Sequence, residues 1–161
     1  MTTASEGAAI PGPVYLDASA WVKLYVPEPQ SRVLNSALLG RKDLFVSDLG
    51  ATEVTSALGR ACREGRLDRV SGRRLHRKLR QHVDAAVVQR LEMTPAVHAE
   101  AERLLLSVGA VALRAADALH VALATLSGMA TIVTYDPRLA NAARWAGLGA
   151  AAPGARLDES R

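Results

Sequence analysis

The chain has 161 residues, 49% hydrophobic but only 4% aromatic, so it is one domain's worth of sequence packed with Ala, Leu and Val. Lys and Arg outnumber Asp and Glu by 20 to 16, an excess compatible with an anionic partner that does not identify one. Cys62 is alone, which excludes an internal disulfide and a cysteine-built metal site and suits a reducing cytoplasm.

The histidines His76, His82, His98 and His120 show no zinc-binding spacing. No stretch approaches the ~20 apolar residues of a membrane span. No basic-then-apolar leader is read, so no signal peptide is expected.

Residues 1–13 are small, polar and rich in Pro and Gly, and read as a disordered tail before a domain over 14–152. Val14-Tyr15-Leu16-Asp17 reads as a buried strand that ends in a carboxylate. Helical spacing follows over Ala18–Val26 until Pro27 and Pro29 break it, and again over Gln30–Leu39 until Gly40. Leu44-Phe45-Val46 is a second strand; Ser47 or Asp48 then caps a long helix to about Glu64, with Val54, Ala57, Leu58 and Ala61 inward.

Leu67 to about Val83 is a heavily basic helix, and Val87–Leu91 a third strand. Thr94-Pro95 opens a helix ending at Gly109. Leu113–Leu126, L-R-A-A-D-A-L-H-V-A-L-A-T-L, is apolar nearly all round and should be buried. Thr131–Thr134 is the best strand; Asp136-Pro137 starts a last helix through Trp145, Gly149–Ala152 is a weak edge strand, and 153–161 a loose tail. Short apolar strands alternating with helices predict an α/β sandwich around a parallel sheet, with ligands gathered beyond the strands' carboxyl ends.

That rule directs attention to the acids. Asp17 closes the first strand, Asp136 follows the Thr131–Thr134 strand, and Glu53 lies a turn into the helix after the second strand. Asp117 interrupts the buried helix, where an ionised carboxylate is costly unless a cation or donors meet it. Each has a plain alternative. Asp17 and Asp136 suit helix N-caps, Glu53 a solvated flank, and Asp117 could pair with Arg114 three residues earlier. If the four meet, their mutual repulsion calls for a cation, and oxygen-only ligands favour Mg²⁺ or Mn²⁺ over Zn²⁺. Such an ion suits phosphodiester hydrolysis, with Ser19 and Thr134 able to hold the carboxylates or a water.

Four stretches in order carry a resemblance over about Val14 to about Leu148: V-Y-L-D-A-S-A-W-V-K-L, A-T-E-V-T-S-A-L, L-R-A-A-D-A-L-H-V-A-L-A and I-V-T-Y-D-P-R-L-A-N-A-A-R-W-A-G-L. Together they resemble the PIN domain, and most closely the VapC-type toxin ribonucleases. The resemblance implies a three-layer α/β/α sandwich and an Mg²⁺- or Mn²⁺-dependent endoribonuclease, dimeric and neutralised by a cognate VapB-like antitoxin. By motif, Asp17 and Asp117 would be metal ligands, Glu53 would complete the site or position water, and Asp136 would act directly or through water. Ser19 and Thr134 fall on accessory hydroxyl positions. His120, on a buried helix, reads as a packed, hydrogen-bonded imidazole rather than a ligand.

Arginines crowd the fourth helix, and Arg66, Arg69, Arg73, Arg77 and Arg80 can form a ladder. It could track RNA phosphates (tRNA among them), form a solvated face, or meet an antitoxin or second copy. No aromatics interleave to suggest base stacking. A PIN-like module that binds RNA without cutting it is the competing reading. A phosphoryl-accepting receiver fits less well, because it wants paired acids after the first strand where Asp17 is followed by Ala-Ser.

Overall fold

In the computed structural model, which describes residues 9–107 and 112–157, the apolar stretches form one sheet. The strands are β1 (Val14–Leu16), β2 (Leu44–Ser47), β3 (Gln89–Leu91), β4 (Thr131–Val133) and β5 (Gly149–Ala151). The helices are α1 (Ala18–Val22), α2 (Ser31–Leu38), α3 (Asp48–Arg63), α4 (Arg69–Asp84), α5 (Pro95–Ser107), α6 (Ala115–Leu126) and α7 (Pro137–Trp145). Strand order is β3-β2-β1-β4-β5, and every pairing is parallel.

The period-2 alternation of strand side chains divides the core into two layers. Tyr15 and Ile132 point into one, with Val97 and Leu104 of α5, Val121 and Leu123 of α6 and Leu139 of α7. Val14, Leu16, Val46 and Val133 point into the other, with Trp21 of α1, Leu34 of α2, Val54 and Leu58 of α3 and Leu79 of α4. The expected α/β/α sandwich follows.

Chain direction then places the site. From β1 the chain steps one way to β2 and β3; from β4, on the other side of β1, it steps the opposite way to β5. The β1/β4 boundary is therefore the switch point of the sheet, where a crevice opens beyond the strand ends. Register pairs Leu16 with Val133, so Asp17 and Thr134 emerge side by side there.

Four local differences from the sequence expectation have simple causes. The first helix ends at Val22, and Lys23, Leu24 and Tyr25 donate to carbonyls three residues back, a tightening ahead of Pro27. The basic helix starts at Arg69, because Gly65 turns with φ +70° and Asp68 caps Ser71 N–H at 2.8 Å. The buried helix starts at Ala115, with Arg114 in extended backbone before it.

The fourth is that Ile10–Pro13 are not a loose tail. Pro13 O accepts from Ala130 N–H (2.9 Å), Pro11 O from the Thr131 hydroxyl (2.7 Å) and Ile10 O from Arg41 (2.8 Å). Pro153 is likewise tied in, its carbonyl accepting from the Tyr135 hydroxyl at 2.9 Å. Residues 1–8 and 158–161 of the two expected tails, and the expected helix end at Gly109, lie outside the described residues.

Candidate active site

Asp17 is both a helix cap and the centre of a hydroxyl network. Its Oδ1 accepts the Ala20 N–H at 2.9 Å, capping α1. The Ser19 hydroxyl reaches Oδ1 at 2.7 Å and Oδ2 at 2.9 Å, and the Thr134 hydroxyl donates to Oδ2 at 2.8 Å. Ser19 Oγ in turn accepts Tyr135 N–H (2.8 Å), and Thr134 Oγ1 accepts Asp136 N–H (3.0 Å). With their lone pairs engaged by the β4–α7 turn, both hydroxyls direct their protons at Asp17. The carboxylate is only 5% exposed. Burial pushes its pKa up, opposed by the Ala20 N–H, by His120 and by the Ser19 and Thr134 hydroxyls.

Asp117 stands in the first turn of α6, 7% exposed. The backbone N–H of Arg114, rather than its guanidinium, bonds Oδ2 at 3.2 Å. Burial pushes this carboxyl up as well; the Arg114 N–H opposes the rise, the charge of Asp136 adds to it, and His120 opposes it. Asp136 caps α7, its Oδ1 accepting Arg138 N–H at 2.8 Å. Glu53, its side chain 34% exposed, meets His120 Nε2 through Oε2 at 2.8 Å.

His120 thus sits among the acids, close enough to act electrostatically on Asp17 and Asp117 and bonded to Glu53. It is packed and hydrogen-bonded, as the sequence suggested, with Nδ1 taken by the Tyr15 hydroxyl at 2.6 Å. Sequence reading overlooked two partners. The Tyr15 hydroxyl is buried on β1 and reaches Ser47 Oγ at 2.7 Å, while Ser47 caps α3 by accepting Gly50 N–H at 2.9 Å. The available signal was a tyrosine in a wholly buried strand, whose hydroxyl must find a partner.

The arginine ladder divides. Arg69, Arg73 and Arg80, joined by His76, line two adjoining cavities of about 410 and 320 Å³ between α4 and α3, which share Thr55 and His76. The helices come close because α4 presents Gly72 to Cys62; a Cβ there would lie 2.7 Å from Sγ. This trough ends at Asp48 and Thr52, the latter next to Glu53. Arg66 is not part of it: it precedes α4 and pairs with Glu64 (Nε–Oε2 2.9 Å). Arg77 is exposed on α4 and lines neither cavity.

The donor set suits a hard cation. Both ring nitrogens of His120 are engaged, which leaves carboxylate and hydroxyl oxygens at the site. Among the described residues no three His, Cys, Asp or Glu side chains close into a cage. An ion that keeps several waters and takes one or two carboxylates fits that arrangement; one needing an all-protein shell does not.

Comparison with known proteins agrees. The PIN domain family matches residues 14–144. Ribonuclease VapC47 of Mycobacterium tuberculosis (strain CDC 1551 / Oshkosh) is 31% identical over 88% of this chain and 98% of its own. Ribonuclease VapC46 of Mycobacterium tuberculosis (strain ATCC 25618 / H37Rv) is 34% identical over 87% and 97%. The crystal structure of Mycobacterium tuberculosis VapC20, a sarcin–ricin loop cleaving toxin, shares the fold with a TM-score of 0.66 at 17% identity, covering 80% of this chain and 94% of that one. Among the described residues no helix is long and apolar enough to cross a membrane. With the PIN domain matched over residues 14–144 and relatives matched almost end to end, the chain belongs to the PIN-domain family of VapC ribonucleases.

Proposed function

We propose that this protein is a cytoplasmic endoribonuclease toxin that hydrolyses RNA phosphodiester bonds at the β1/β4 crevice with Mg²⁺ or Mn²⁺. The supporting observation is Asp17, almost wholly buried and held at the β1/β4 strand ends by Ser19, Thr134 and the Ala20 N–H. Asp17 and Asp117 hold the ion, with Glu53 and Asp136 flanking. When bound, the ion supplies charge neutralisation for the phosphoryl group and a lowered pKa for water. Glu53, with Oε2 committed to His120, keeps Oε1 to accept a proton from the attacking water. Ser19 and Thr134 keep Asp17 oriented without entering the chemistry.

Arg69, Arg73 and Arg80 form the track by which RNA reaches the crevice, each neutralising a phosphate. The partners that go with this reading are RNA (tRNA among the candidates), a VapB-like antitoxin and a second copy of the chain. The test is cleavage of RNA by the purified protein with Mg²⁺ or Mn²⁺ and after chelation. Cleavage that needs the ion and vanishes in Asp17→Ala is expected. RNA binding without turnover at any divalent concentration would instead identify a silent RNA-binding module.

A further inference from the structure

Ser47, Tyr15 and His120 lie on three separate elements, and their exposures are 1%, 0% and 3%. They form a continuous series of contacts from the N-terminus of α3 to Glu53: Gly50 N to Ser47 Oγ 2.9 Å, Ser47 Oγ to Tyr15 Oη 2.7 Å, Tyr15 Oη to His120 Nδ1 2.6 Å, and His120 Nε2 to Glu53 Oε2 2.8 Å. The Gly50 N–H only donates and an ionised Glu53 only accepts, so Nε2 of His120 carries a proton toward Glu53. Between these ends the Ser47 and Tyr15 hydroxyls, each able to donate and to accept, join the series to Nδ1.

Packing alone does not require this series. Ser47 by itself would satisfy the Tyr15 hydroxyl, and an aliphatic side chain would fill the place of the imidazole. The chain of contacts is buried until it reaches Glu53, which is 34% exposed at the crevice. We infer that Tyr15 and His120 are positioning residues, a buried hydrogen-bond chain that fixes the Glu53 carboxylate through Oε2 so that Oε1 faces the attacking water. This rests on the nuclease reading for what Glu53 does, but the proton that Nε2 offers to Glu53 is independent of turnover.

The experiment joins nitrogen NMR of the His120 ring in the full-length protein with steady-state RNA cleavage. The wild type should show a proton on Nε2. Tyr15→Phe, which takes away the support on Nδ1, should lose about tenfold or more in kcat, with KM unchanged. His120→Gln, which keeps an N–H to offer Glu53, should retain more kcat than His120→Leu, which keeps only the packing. Asp17→Asn should abolish cleavage yet leave the proton on Nε2 in place. An unprotonated Nε2 in the wild type, a folded Tyr15→Phe with wild-type kcat, or equal kcat in the two His120 variants would overturn the inference. If the wild type cut no RNA, the nuclease reading would fall and Glu53's role with it, while the ring spectrum would still decide whether His120 donates to Glu53.

Discussion

The crevice at β1/β4 and the outer face of α4 are both densely charged, but by opposite means. Asp17 and Asp117 are 5% and 7% exposed, and each is held by donors that leave it little freedom. Arg69, Arg73 and Arg80 are exposed on a helix along a trough. Buried charge is costly to assemble and is retained where geometry must be exact to a fraction of an ångström; exposed charge costs little and suits a ligand whose path varies. On the proposed function the first arrangement serves bond breaking and the second the binding of a flexible polyanion. Substitutions in the two regions should therefore fail in different kinetic parameters.

The widest separation comes from the crevice. Asp17→Asn or Asp117→Asn removes several kcal/mol of charge stabilisation that depends on a bound ion, about 10³-fold in kcat, with RNA binding kept. Measured cleavage within tenfold of wild type in either variant would move the site elsewhere. Thr134→Val is milder. It keeps shape but takes one donor from Asp17 and the acceptor from Asp136 N–H, and ~10–100-fold in kcat is expected.

On the α4 face the loss should fall on KM. Arg69→Gln, Arg73→Gln and Arg80→Gln combined should weaken RNA binding with kcat preserved. The salt dependence of binding should flatten by about 0.7 in log–log slope for each phosphate contact removed. Arg66→Gln and Arg77→Gln, outside the trough, should leave the slope nearly unchanged. A slope insensitive to the first three would make that face a solvated surface or an antitoxin contact.

The same contrast explains what could be read from the sequence. β1, β2 and β4 were legible because each is a short apolar run closed by a turn residue, and the parallel order followed from helices between them; β3 is Gln89-Arg90-Leu91, with the valines that suggested it lying just before. Asp17 and Asp136 were each weighed as helix cap against site residue; both do cap a helix, and the Asp17 carboxylate takes the Ser19 and Thr134 hydroxyls besides, so a cap does not exclude a second role. Arg114 and Asp117 suggested an ion pair at helical spacing, but Arg114 lies before the helix and offers its backbone. Arg66 fails in the ladder for a similar reason, since i+3 spacing means nothing when residues 66–68 lie before the helix that Asp68 caps. The bonds joining Tyr15, Ser47, His120 and Glu53 span sequence separations of 32, 105 and 67, and no local pattern announces them.

The smallest effect is thermodynamic. Asp17 and Asp117 have folded-state pKa values raised above the ordinary 3.8, chiefly by burial. Between that value and the raised ones, the folded chain holds protons that the unfolded chain has released, so stability from these groups is present at low pH and lost as pH rises. Asp43, held low by Arg41, contributes in the opposite sense, so the crevice is isolated by difference. Asp17→Asn keeps an acceptor for Ala20 N–H and removes the buried charge. Without divalent ions it should match wild type in Tm near pH 4 and exceed it increasingly toward neutrality, by about 2–4 °C for each kcal/mol recovered. Adding Mn²⁺ at 100 times its Kd should stabilise the wild type by about 2.7 kcal/mol and leave Asp17→Asn unmoved. A metal-free wild type that gains stability on Asp17 ionisation would mean the carboxylate is satisfied by its hydroxyls alone and has no use for a cation.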